Sequence, residues 1–128
     1  MRFFITVVSL ILLLSGCTMR YADWLAERKA AREDWDACAI NATEEYSKKY
    51  YDNEMIAKYA VHGCEEWKLH FIEIDLKHPG ADSKNVQIAA WRYEQELIDR
   101  MKMRSIKFQE DQNAEFNKRL QAVPLEFN

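Results

Sequence analysis

The sequence predicts an all-α fold: a small three-helix bundle, or a helical hairpin plus a long third helix, after a cleaved signal peptide. Three observations predict this. Only three glycines and two prolines punctuate 128 residues, so long stretches lack the residues that break helices. Charged side chains make up 30% of the chain, and many have the long straight stems that helices accommodate. Apolar residues recur at steps of three and four, the period of a helix face rather than a strand.

The first residues read as targeting. Met1 and Arg2 place positive charge at the N-terminus, and Phe3 to Leu14 is an apolar run of about a dozen residues. A membrane-spanning helix needs roughly 20, so this short basic-then-apolar layout fits a signal peptide instead.

The run ends at Leu14-Ser15-Gly16-Cys17, which resembles the lipobox of bacterial prolipoproteins. Small residues before the cysteine let a peptidase approach, and only a thiol can form the thioether to diacylglycerol. The resemblance implies cleavage before Cys17, lipidation of its thiol and acylation of the new amine, commonly with palmitate. Several long acyl chains hold a protein far more durably than one short chain, because each buried methylene contributes about 0.8 kcal/mol. Thr18 stands where an Asp signals inner-membrane retention in this class, which implies the periplasmic face of the outer membrane rather than the inner membrane. The chain then divides into a signal peptide at 1–16, a lipidated tether at 17–20 and a helical domain at 21–128.

Cleavage leaves 128 − 16 = 112 residues, enough for one small domain. Only Arg2 is lost among the charged residues, so 18 − 1 = 17 basic side chains face 21 acidic ones, a net charge of −4. No basic excess draws in phosphate backbones, and nucleic acid is not expected as a partner.

The first mature helix carries Tyr21, Trp24, Arg28, Ala31, Trp35, Cys38 and Ala42 on one side, at alternating steps of three and four. Arg28 interrupts this stripe and is expected to lay its stem along the apolar surface with its guanidinium in water. A turn follows at Tyr50 to Asn53, where Asp52 or Asn53 can cap the next helix. The second stripe is Ile56, Ala60, Cys64, Trp67, Phe71 and Ile74, with Gly63 inside it at a cost of about 1 kcal/mol relative to Ala. His78-Pro79-Gly80 ends it, because the residue before a proline is pushed out of helical geometry. Asp82 or Ser83 can cap a third helix from about Lys84 to Gln121, with Trp91, Leu97, Ile98, Met101, Phe108, Phe116 and Leu120 on its less regular apolar side. All four tryptophans are expected to pack the core.

With Cys17 taken by lipid outside the cytoplasm, Cys38 and Cys64 remain as a pair in an oxidising compartment. They lie 14 residues before and 12 after Asp52, so along antiparallel helices their heights differ by roughly 3 Å. A disulfide is therefore expected. Two unpaired buried thiols are the alternative, and a catalytic redox pair is disfavoured by the lack of a Cys-x-x-Cys spacing.

No catalytic residues, cofactor or metal site are expected. His62, Glu66 and His70 recur at intervals of four, but His62 and His70 diverge by roughly 80° around a helix, which suits a polar flank better than a metal site. Adjacent pairs such as Glu44-Glu45 and Glu65-Glu66 diverge by about 100° and read as solvated faces. No nucleophile elbow or phosphate loop is present.

Relative helix length suggests where a partner binds. The second helix spans about 24 residues, roughly 36 Å, and the third about 38, roughly 57 Å. If both start level, the third passes the hairpin tip near Phe108 and runs some 20 Å further. That overhang would carry Phe116, Leu120 and Val123 as a partner-binding surface, with Leu125 and Phe127 beyond. The alternative is a break near Gln112-Asn113 and a fold back onto the bundle.

The expected role is a lipid-anchored binding or scaffolding module for another periplasmic or membrane protein. A second possibility is an accessory lipoprotein of a mobile element, for entry exclusion or lysis. A third, an envelope metal binder or enzyme, rests on the His62 region alone.

Overall fold

The computed structural model describes the backbone of residues 2–124 and the side chains of residues 21–124. These contain four helices and no strand: α1 (Arg2–Ser47), α2 (Asn53–His62), α3 (Glu65–Leu76) and α4 (Ser83–Ala122). Residues 2–20 and the helix expected from Tyr21 onward are consecutive stretches of α1. From Tyr21, α1 rises from a base to a tip, α2 and α3 together form the returning limb, and α4 rises again beside α1. The pairings show this order. Trp24 near the base meets the end of α3 through an Nε1 to Ile74 carbonyl bond of 3.0 Å. At the tip, the Asn53 side chain accepts from Ser105 of α4 at 2.7 Å.

Local chemistry fixes the turns. After α1, the amides of Lys49 and Tyr50 both bond the Tyr46 carbonyl at 2.9 Å. Asp52 then caps α2, its carboxylate accepting from the amides of Glu54 and Met55 at 3.0 Å each. Asp82 caps α4 in the same way through Lys84. Both caps satisfy amides that a helix start leaves without partners. Between them, Gly80 adopts φ +78°, a left-handed conformation that glycine holds without steric cost.

The second limb corrects one expectation. It is two helices, not one, with the break at Gly63 and Cys64. The Gly63 amide still reaches Tyr59 O at 2.9 Å, but the Cys64 amide turns back to Val61 O at 3.1 Å, a tighter turn. A side chain at position 63 would begin only 3.0 Å from the Tyr59 carbonyl oxygen, so a residue without one suits the turn. Cys64 opens α3 without a side-chain cap, since its sulfur is bonded to Cys38. Glu65 and Glu66 in the first turn place negative charge at the positive end of that helix.

Each limb gives one large ring to the core. Trp35, Phe71 and Tyr93 meet with centroids 6.0, 5.3 and 6.0 Å apart pairwise. Ala31, Ala57, Val61, Leu97 and Met101 surround them. Trp35 is fully buried, and truncating such a ring to alanine costs about 3–5 kcal/mol.

Two tryptophans depart from expectation. Trp24 is half-buried and packs against the core as expected, whereas Trp67 and Trp91 are exposed. Of the expected stripe of the returning limb, Ile56, Ala60, Cys64, Phe71 and Ile74 are buried, joined by Ala57 and Val61, and Trp67 alone faces outward. Trp91 lies about 100° around α4 from fully buried Ala90.

The stripe of α1 also differs. Beyond Trp35 it runs through Ala39, Thr43 and Ser47 at steps of four, while Cys38 and Ala42 sit at its edge. Small residues there let α4 approach closely, and Ser47 Oγ lies 3.0 Å from Ser105 Oγ with both buried.

Arg28 is the clearest polar correction. Its guanidinium is not free in water but bonds buried Asp75, Nε to Oδ1 at 2.6 Å and Nη2 to Oδ2 at 3.3 Å. It also lies 5.2 Å from the centre of the Phe71 ring. No helix among the described residues is long and apolar enough to cross a membrane.

Candidate functional site

The upper part of α4 leaves the bundle. Ser105 is fully buried, and Gln109 makes the last tie to the tip by donating Nε2 to the Tyr50 carbonyl at 3.1 Å. From Glu110 to Pro124 every residue is exposed. The helix nevertheless continues to Ala122, so 13 residues form an arm of roughly 20 Å. No break occurs at Gln112-Asn113, and the fold-back alternative is not what the chain adopts.

Sequence explains why the arm stays helical. Between Glu110 and Ala122 there is neither glycine nor proline, and Arg119 pairs with Glu115 one turn earlier, an arrangement that stabilises exposed helices by a few tenths of a kcal/mol. Val123 leaves the helix at φ −79°, ψ 117°, as the residue before a proline is driven to do.

Phe116 and Leu120 lie about 40° apart around the axis, on the side of α4 that carries Ser105 and Gln109. The face that the tip covers lower down therefore continues upward uncovered. Phe116, Leu120 and Val123 are 60, 57 and 62% exposed, and a run of large apolar groups on a projecting element marks an interaction surface. Acidic Glu110, Asp111 and Glu115 flank its lower half, basic Lys118 and Arg119 its upper half. Leu125 and Phe127 lie outside the described residues.

The other singled-out residues fall in separate places. The Cys17 side chain lies outside the described residues. Cys38 and Cys64 are joined by a disulfide with Cα atoms 6.0 Å apart, tying the last third of α1 to the break in the returning limb. His62, Glu66 and His70 do not converge. His62 Nε2 is 3.4 Å from Glu94 Oε1, whereas His70 stands edge-on to Trp67 with centroids 6.5 Å apart. Among the described residues, no group of three or more His, Cys, Asp or Glu is placed to hold a metal ion.

Two polar clusters were not foreseen. Glu94 is buried and is met by the Lys68 ammonium as well as by His62. Its position on the stripe Ala90, Glu94, Leu97, Met101 was the available signal, since a carboxylate on a buried face demands a cationic partner. Nearby, the Tyr93 hydroxyl donates to Asp36, and Arg100 donates to both Asp36 oxygens at 3.2 Å and to the Tyr93 oxygen at 3.0 Å. Burial first, and the bond to Asp36 second, push the Tyr93 hydroxyl up to about 12. Arg100 is raised despite its burial, through its bonds to Asp36 and Tyr93. Both clusters join helices across the bundle.

No protein-family model, curated protein or solved structure matches this chain.

Proposed function

We propose that the protein is a lipid-anchored envelope module that docks another protein through the arm of α4. The observation that carries this is the apolar pair Phe116 and Leu120, exposed on a helix that stands clear of its own bundle, with exposed Val123 just past its end. Anchors one turn apart on a helix face are the pattern by which one helix seats in a groove or against a helix of a partner. Oblique charge on either side of the run, acidic below and basic above, would orient that partner along the arm.

Lipid on Cys17 gives the arrangement a direction. The anchor adjoins the base, and α4 starts at the base and spans 40 residues, about 60 Å. The arm is thus held at the end farthest from the anchoring membrane, in reach of proteins of the periplasm. Three exposed side chains bury too little to hold a stable complex alone, since specific interfaces cover roughly 800 Å² per partner. The lipid compensates by confining the arm to a surface and raising the effective concentration of a membrane-bound partner.

Photocrosslinkers placed at Phe116 and Leu120 in intact cells test this. One recurring protein adduct, lost from the Phe116 probe when Leu120 is changed to Asp and absent from a probe at exposed Lys29, is the expected result. Equal adducts from the arm and from Lys29 would contradict docking through the arm.

A further inference from the structure

The base of the bundle presents an aromatic cluster that reaches from the edge of the core, where Trp24 packs, out to solvent, and that takes no part in the arm. Tyr21, Trp24 and His78 pack together, with centroids 5.7 Å apart for Tyr21 and Trp24, 5.9 Å for Tyr21 and His78, and 4.4 Å for Trp24 and His78. Tyr21 and Leu76 are 54 and 45% exposed. A hollow of about 690 Å³ opens beside them, lined by Tyr21, Trp24, His78 and Pro79 together with Lys77 and the acidic Asp23 and Glu27. The cluster is held firmly, because Trp24 donates to the Ile74 carbonyl at 3.0 Å and Arg28 bonds Asp75 one residue further on.

We propose that this base is a lipid-contacting foot, in which Tyr21, Trp24, Leu76 and His78 rest among the phospholipid headgroups. The proposal rests on the reading of Cys17 as the acylated residue, and chain length then supplies the argument. Cys17 precedes Tyr21 by four positions, which is about 6 Å of helix or at most about 14 Å fully extended. The polar layer of a bilayer is itself roughly 5–8 Å thick on each side. Acyl chains in the hydrocarbon therefore bring the base to the headgroups with no spacer to hold it away. Its chemistry suits that layer, where the apolar body and polar edge of Tyr and Trp are favoured over either water or hydrocarbon. Exposed Tyr50 and Tyr51 at the tip stand about 39 Å away along α1 and serve as an internal comparison.

The foot fixes what a lipid alone leaves free, the tilt of the bundle. With the base seated, the arm points away from the membrane; a tether without a foot would let the bundle swing.

The test uses the full acylated protein, reconstituted in phosphatidylcholine vesicles with or without bromine on the acyl carbons nearest the glycerol. Trp67→Phe and Trp91→Phe remove the two exposed indoles, leaving Trp24 and fully buried Trp35. Mass spectrometry on the same sample reports acylation of Cys17. Brominated lipid is expected to quench the Trp24 emission while leaving that of fully buried Trp35. Tyr21→Asp, at an exposed position, should at least halve that quenching while helical content and acyl mass stay unchanged. Acylated, vesicle-bound protein that shows no quenching would overturn the foot and leave the anchor standing. Absence of acyl mass together with loss of vesicle binding would overturn both.

Discussion

Arg28 of α1 and Asp75 at the end of α3 form a two-bond ion pair, 2.6 and 3.3 Å, across the base of the bundle. The two partners are unequal in burial, 32% exposure for the Arg28 side chain and 7% for Asp75. That inequality decides which change hurts. Arg28→Ala strands a buried carboxylate and should cost about 2–3 kcal/mol in urea unfolding, at the lower edge of broken buried pairs. Replacing both residues with Met should cost less than the sum of the two single changes by more than about 1 kcal/mol. An Arg28→Ala cost inside about 0.5 kcal/mol would show that water already solvates the pair.

The Cys38–Cys64 bond closes a loop of 26 residues. In the chain-entropy account such a closure contributes about 3.5 kcal/mol. Reduction, or Cys38→Ser with Cys64→Ser, should therefore lower the thermal midpoint by roughly 10–20 °C for a domain of this size. Each single serine variant should match the double one, because either change opens the same loop. Thermal melts with and without reductant measure this, and a reductant-insensitive wild type would refute it.

Tyr93 makes stability respond to alkali. Its folded value is pushed up to about 12 by burial and by the bond to Asp36, above the ordinary value of about 10. The folded state thus keeps a proton that the unfolded chain releases. This contribution is fully present below pH 10 and is lost as pH rises through about 12. Urea midpoints should hold steady to about pH 10 and fall beyond it. Tyr93→Phe should flatten the fall while costing about 1–2 kcal/mol at neutral pH through the lost hydrogen bond.

The arm should be separable from the fold. Residues from Glu110 onward are exposed and lie beyond the last tie to Tyr50. Deleting residues 113–128, or changing Phe116 and Leu120 to Asp, should therefore shift unfolding by no more than about 0.5 kcal/mol. Circular dichroism melts check this, and a collapse of the truncated protein would show that the arm packs against the bundle in solution.

The amino-acid sequence by itself determined the helical class, the three limbs, the turns at Asp52 and Asp82, the Cys38–Cys64 partnership and the length by which α4 overshoots the tip. These follow from short-range rules: period, caps, breakers and rise per residue. Only the tertiary structure decided what depends on the facing limb. Gly63 reads as a tolerated weak point until Cys64 is seen held by Cys38 and the limb breaks there. Trp67 and Trp91 read as core because periodicity scores an indole as apolar without knowing whether a neighbour stands opposite. Arg28 reads as solvated, and the ion pair of Glu94 goes unread, because the partners that neutralise them, Asp75 and Lys68, lie 47 and 26 residues away. A helix stripe states which side is apolar; packing alone, through the distances between limbs, states which of those residues find cover and which charges must find each other.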